Sequence, residues 1–284
     1  MGQAVIDVDL VEIGGTANCR VPAPLPHGDF VEAVGAFVAG KAMVCGGQVI
    51  DCFSYNFKAR TWEQEEPLDG ERKNAASVLV DKNTWWIAGG FGSPYYASSI
   101  VYNGTSFSPG PRLPKAQSSF CLAKINSTSI FMAGGITYQS TIQGTAYILD
   151  WPSHTWTRLP DLPTAREFPS CSIVGNEVIV VGGFHNSLGY INGSDIFNLD
   201  EMLWTKGPDL PYESNKLAFA TQATVTNVEG NSFRIYRGYL STERTDEIIE
   251  YTSDTGEFEL LEEKMPVARS RHLVIPLPYD DEYC

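Results

Sequence analysis

No stretch of this 284-residue chain reaches the roughly 18 consecutive apolar residues that a membrane-spanning helix needs. Runs of helix-forming residues are few, which argues against a helical bundle. Met1–Leu10 has no basic start followed by an apolar core, so no signal peptide is expected in the chain as given; it is intracellular, or a mature form. There is no Lys/Arg run, and the net charge is −14. A surface of that sign repels phosphate backbones, so neither nucleic acid nor an anionic membrane is an expected partner. The acidity serves solubility, or a basic partner. Nucleophile-elbow, phosphate-loop and zinc motifs are also missing.

In their place the chain carries 26 glycines and 17 prolines, with 6 tryptophans, 13 tyrosines and 14 phenylalanines. That profile favours many short strands joined by tight turns. Glycine doublets end apolar runs at Gly46-Gly47, Gly89-Gly90, Gly134-Gly135 and Gly182-Gly183, spaced by 43, 45 and 48 residues. A weaker copy, Tyr236-Arg237-Gly238, keeps one glycine. An aromatic precedes a second one by seven residues in Tyr55/Trp62, Phe197/Trp204 and Tyr251/Phe258. Leu149/Trp156 keeps the spacing with an aliphatic first member, and Tyr102/Phe107 shortens it. A closing marker, usually Leu-Pro, follows at Leu68, Leu113, Leu162, Leu210 and Met265, and a sixth copy stands at Leu25-Pro26 after Cys19.

Each unit reads as four strands. In the fourth, Ser170–Val174 leads through a Gly-Asn turn into Glu177–Val181 and the doublet, and a loop then precedes a hairpin bearing Phe197 and Trp204. Such a sheet cannot bury both faces alone, and radial stacking solves that. The doublet, the Tyr-x6-Trp spacing and the period of about 45–50 residues resemble the kelch repeat family. The resemblance implies an all-β, six-bladed β-propeller in one domain spanning 1–284. Blades are expected near 27–69, 70–114, 115–163, 164–211 and 212–266, with a closing blade stitched from 267–284 and 1–26. The closing blade is expected to be short or three-stranded.

Two sets of loops are expected on one face of such a ring: those between blades, and those joining second to third strands. Long loops on a rigid scaffold are where binding residues lie. The candidate ligand-binding residues are Arg72, Lys73, Tyr95, Tyr96, Tyr138, Arg166, Phe184, His185, Tyr190, Arg269, Arg271 and His272. Arginine and tyrosine dominate binding hot spots, and arginine grips carboxylates. Kelch domains that recruit substrates similarly hold acidic peptides with arginines at this position. The expected function is therefore a non-catalytic propeller binding a protein or peptide, acidic or carboxylate-bearing, without a cofactor. Substituting Arg166 and Arg271 by Glu is expected to abolish binding and leave stability unchanged. The competing reading of each arginine is structural, paired with a neighbour such as Glu71 or Glu167. Alternatives for the whole chain are a mutarotase-like or copper-oxidase-like enzyme using the central pocket, and a secreted or cytoskeletal scaffold. His27, His185 and His272 have no recognisable metal-ligand spacing.

Six cysteines and three sequons, at Asn103, Asn126 and Asn192, fit an extracellular protein, with the cytoplasm as the alternative. Cys45 and Cys52 face one another if their hairpin turns at Gln48-Val49, and so can form a disulfide. Cys19 and Cys284 could clasp the closing blade. Cys121 and Cys171, on first strands of neighbouring blades, are expected as buried free thiols.

Overall fold

The computed structural model describes residues 24–26, 30–211, 218–219, 225–228, 231–236, 239–240, 243–269 and 273–277. These form an all-β propeller in which five four-stranded antiparallel blades are described. Blade 1 comprises Val34–Val38, Lys41–Cys45, Cys52–Asn56 and Thr61–Gln64. Blade 2 comprises Ala76–Asp81, Thr84–Ala88, Ser99–Tyr102 and Phe107–Pro109. Blade 3 runs through Gln117–Lys124, Ser129–Thr137, Ala146–Asp150 and Thr155–Arg158. Blade 4 runs through Ser170–Val174, Glu177–Val181, Gly193–Asn198 and Leu203–Asp209. Blade 5 has Val225–Val228, Ser232–Tyr236, Glu243–Thr252 and Glu257–Arg269, plus a short pair at Ala218–Phe219 and Tyr239–Leu240. Most of the residues expected to build a sixth blade, Cys19 and Cys284 among them, lie outside the described residues.

The sequence markers map onto definite registers. Tyr55↔Trp62, Tyr102↔Phe107, Leu149↔Trp156, Phe197↔Trp204 and Tyr251↔Phe258 are direct partners across the third-to-fourth-strand hairpins. The indole N–H groups of Trp156 and Trp204 each donate to a carbonyl 44 residues back, in the preceding blade, at Arg112 and Pro160. The same ring thus fills its own hairpin and staples two blades.

The second glycine of each doublet shows why no larger residue stands there. Gly183 has φ +98°, and a Cβ on it would lie 2.7 Å from the Glu167 carbonyl oxygen. Positive φ and close backbone approach both select glycine. First strands of neighbouring blades lie against one another, which marks them as innermost. Glu32, Asn74 and Phe168 lead into the first strands of blades 1, 2 and 4, Ser119 lies near the start of that of blade 3, and each has positive φ. Their backbones form a chain: Asn74 N–H donates to Glu32 O, Ser119 to Asn74 and Phe168 to Ser119, at 3.2, 2.9 and 2.7 Å.

The apolar core is divided between blades. One cluster joins Met43 and Val38 of blade 1 to Trp85 and Ile87 of blade 2, and a second joins Trp86 to Ile130 and Met132 of blade 3. Phe131 and Val178 sit in a third, between blades 3 and 4, and Ile179 and Phe233 in a fourth, between blades 4 and 5.

Cys45 and Cys52 are direct cross-strand partners and form a disulfide, as the hairpin register predicts. Cys121 and Cys171 also form a disulfide, with Cα atoms 5.8 Å apart. This corrects the expectation of free thiols there. Facing positions on two neighbouring first strands are brought together by radial packing, which spacing along the chain does not show.

Candidate functional site

On one face of the ring, three blades raise the loop between second and third strands into a small hairpin. In blade 2 Phe91 bridges to Tyr95, with ring centroids 4.9 Å apart. In blade 4 Phe184–His185 pairs with Gly189–Tyr190, and the rings of Phe184 and Tyr190 lie 5.1 Å apart. In blade 3 the register is Ile136↔Ile142, and the tip carries Tyr138. One residue just before or within each first strand braces the base of its hairpin. The braces are Lys73 to Phe91, Ser118 to Ile136 and Glu167 to Phe184. The last uses two backbone bonds, 3.0 and 2.8 Å.

Beside these braces the two arginines turn inward. Arg72 is 1% exposed, its guanidinium making two 2.9 Å bonds to Asp69 and further bonds to the Gly89 carbonyl and to Ser98. It also lies 4.6 Å from the Tyr96 ring centre. Arg166 is 2% exposed, ion-paired to Asp195, and donates to the carbonyls of Thr164 and Gly182. Each arginine therefore satisfies the carbonyl of its doublet's first glycine. Burial pushes the Asp195 carboxyl above the usual carboxylate range, with Arg166 and Lys206 pulling it down.

No family model matches the chain. A putative F-box/kelch-repeat protein of Arabidopsis thaliana is 29% identical over 107 residues, 36% of this chain and 27% of that protein. Kelch domain-containing protein 8B of Homo sapiens is 34% identical over 67 residues, 21% of this chain and 19% of that protein. Another Arabidopsis F-box/kelch-repeat protein is 24% identical over 109 residues, 36% of this chain and 26% of that protein. The chain thus aligns with well under a third of each relative's length. Together with radially stacked blades and in-phase glycine doublets, these matches support a kelch-repeat family. The chain is a kelch-repeat β-propeller.

Within this propeller, the expected site residues separate into three groups. Tyr95, Phe184, His185 and Tyr190 are half-buried on the loop hairpins, and Tyr138 is 73% exposed at a tip. Lys73 stands beside them, 3.5 Å from Glu71. Arg72 and Arg166 are inside the blades, and Tyr96 covers Arg72. The third group is undescribed: Arg271 and His272 lie outside the described residues, as does the side chain of Arg269. The partners of the arginines are Asp69 and Asp195, not Glu71 and Glu167. Substituting Arg166 by Glu would place two carboxylates together in the blade, so the expectation of unchanged stability is also corrected.

Two residues escaped the sequence reading. Phe91 and Leu188 are exposed at 37% and 65% on the same hairpins; both stood inside the expected loops, but exposure there follows from hairpin register. Glu167 was read as an arginine partner. Among the described residues its side chain has no hydrogen bond and no ion pair, and burial alone raises its carboxyl above the usual range.

The sequons divide as well. Asn103 and Asn126 are exposed in tight turns, where each side-chain oxygen accepts from the threonine two residues on. Asn192 instead donates to the Leu210 carbonyl, and its Oδ1 is buried. Among the described residues no three His, Cys, Asp or Glu side chains converge as a metal site would require.

Proposed function

We propose that this kelch propeller binds a protein or peptide on the face built by the hairpins of blades 2, 3 and 4. The observation that carries the reading is the grouping of exposed apolar side chains. Phe91, Tyr138 and Leu188 stand out from one face, joined by Ile50 at 42% exposure in the equivalent loop of blade 1. Paired aromatics on short braced hairpins give large contact area with little entropy to lose on binding. The relatives' kelch-repeat names support a binding role of this kind.

An acidic ligand was expected because of the arginines. Arg72 and Arg166 are already bonded inside the blades, and Lys73 sits 3.5 Å from Glu71, so of the arginines expected to grip an acidic ligand Arg269 and Arg271 are left to support that reading. The six-bladed closure belongs to the same proposal. Leu273 and Ile275 lie where a Cβ on Gly35 of blade 1 would be, and Val274 packs against Tyr236, Ile248 and Met265 of blade 5. Side chains alternating between blades 5 and 1 support a closing blade there.

Panning a displayed random heptapeptide library on the folded protein tests the binding face. Retained peptides should be lost from the double variant Tyr138→Ala/Leu188→Ala and kept by Leu203→Ala, whose side chain is 58% exposed where the fourth strand of blade 4 begins, on the opposite face. No retained peptide, or equal retention by the double variant, would overturn the assignment.

A further inference from the structure

Glu167 and its surroundings have the chemistry of a cation site. Its backbone is fixed on both sides, by the two bonds to Phe184 and by Phe168 N–H donating to Ser119 O. The carboxylate is half-buried and, among the described residues, unpaired. Neighbouring Arg166 is committed to Asp195, and Lys73, the equivalent residue of blade 2, sits against Glu71. The Tyr95 phenol of the blade 2 hairpin is raised by burial and then by the Glu167 charge, so the two groups share one environment. The aromatic pairs Phe91/Tyr95 and Phe184/Tyr190 stand on the hairpins beside them. A half-buried carboxylate without a counter-ion among the described residues favours a cation, and aromatic faces attract one as well.

We infer that the loop face captures a basic side chain, arginine or lysine, of a partner peptide, with Glu167 as its anion and the aromatic pairs as its walls. The inference rests on the peptide-binding reading of that face and reverses the ligand charge expected from sequence. A basic partner also suits a chain of net charge −14, whose field speeds the approach of cations. Within the same blade architecture, Arg72 packed against Tyr96 shows a guanidinium and a phenol ring in contact.

The test uses the peptides retained in the panning experiment, at physiological salt. One position should be fixed as arginine or lysine. A synthetic peptide is then made with arginine, with neutral citrulline and with glutamate there. Citrulline should weaken binding about tenfold, roughly the effect of one good charge-assisted contact. The variant Glu167→Gln should weaken the arginine peptide by a similar factor and leave the citrulline peptide unchanged, as a double-mutant cycle requires of a direct pair. Glu201→Gln, in an exposed turn of the opposite face, controls for net charge and should change nothing. Retained peptides that carry Asp or Glu, or a basic preference that survives Glu167→Gln, would overturn the inference while leaving the face assignment intact. Peptides insensitive to Tyr138→Ala/Leu188→Ala would remove both.

Discussion

Arg166 and Glu167 are consecutive, yet the chain turns one into the blade and the other towards the hairpins. The sequence shows an arginine beside a glutamate and invites pairing them. The actual partner of Arg166 is Asp195, 29 residues on, in the third strand of the same blade. A cross-blade contact of that separation is set by sheet register, which no local pattern encodes. Among the described residues nothing compensates the desolvation of Glu167, and that has a measurable consequence. Its folded carboxyl is raised above the unfolded value, so the folded state holds the proton more tightly. Stability from this group is then present below the unfolded value and is lost as pH rises through the folded one. At neutral pH the native protein carries the whole penalty, which Glu167→Gln removes. The variant should therefore melt above the parent at pH 7, and the gap should close as pH falls below the ordinary carboxylate range. Thermal melts of both proteins between pH 3.5 and 7 check this; a gap independent of pH would contradict it. A residue that weakens the fold where it stands is typical of a binding position.

At the scale of the element, what could be read from sequence was what lies within one hairpin. A short turn fixes register, so the seven-residue aromatic spacing, the Gly-Asn turn after Val174 and the Cys45–Cys52 pair all follow from local alternation. The loop hairpins and the Cys121–Cys171 bond were not legible, because they depend on strands meeting across a blade or between blades. The two disulfides should differ in worth. Cys45–Cys52 closes a separation of 7 residues that the hairpin already holds, whereas Cys121–Cys171 closes 50 and ties blade 3 to blade 4. Loop-closure entropy gives upper values of about 2 and about 4 kcal/mol. Urea unfolding of Cys45→Ala/Cys52→Ala and of Cys121→Ala/Cys171→Ala should rank the second pair as the more destabilised. Equal losses would show that the inter-blade bond does not restrain the unfolded chain.

For the whole molecule, each blade is half a core, and the ring is stable only if every blade has a neighbour on both sides. The four inter-blade clusters join blades 1 to 5 in sequence, which leaves the outer sides of blades 1 and 5 to be covered. Residues 273–277 stand at that position: Leu273 and Ile275 face Gly35, and Val274 faces Tyr236 and Met265. The glycine itself is part of the fit, since any side chain at 35 would displace Leu273. If this segment closes the ring, its contacts stabilise blades far from it, because opening one joint exposes two edges. Leu273→Ala with Ile275→Ala should then lower the unfolding free energy by about 3 kcal/mol, within the range for partly buried aliphatic truncations. The control Met202→Ala/Leu203→Ala, at exposed positions where a turn meets the fourth strand of blade 4, should change it by less than about 0.5 kcal/mol. Both follow from urea titrations monitored by tryptophan fluorescence. The decisive reading is the signal of Trp85 and Trp86, which lie in the second strand of blade 2. Their transition should shift together with the global one if the ring is closed through residues 273–277, and stay in place if that segment is only a tail resting on blade 1.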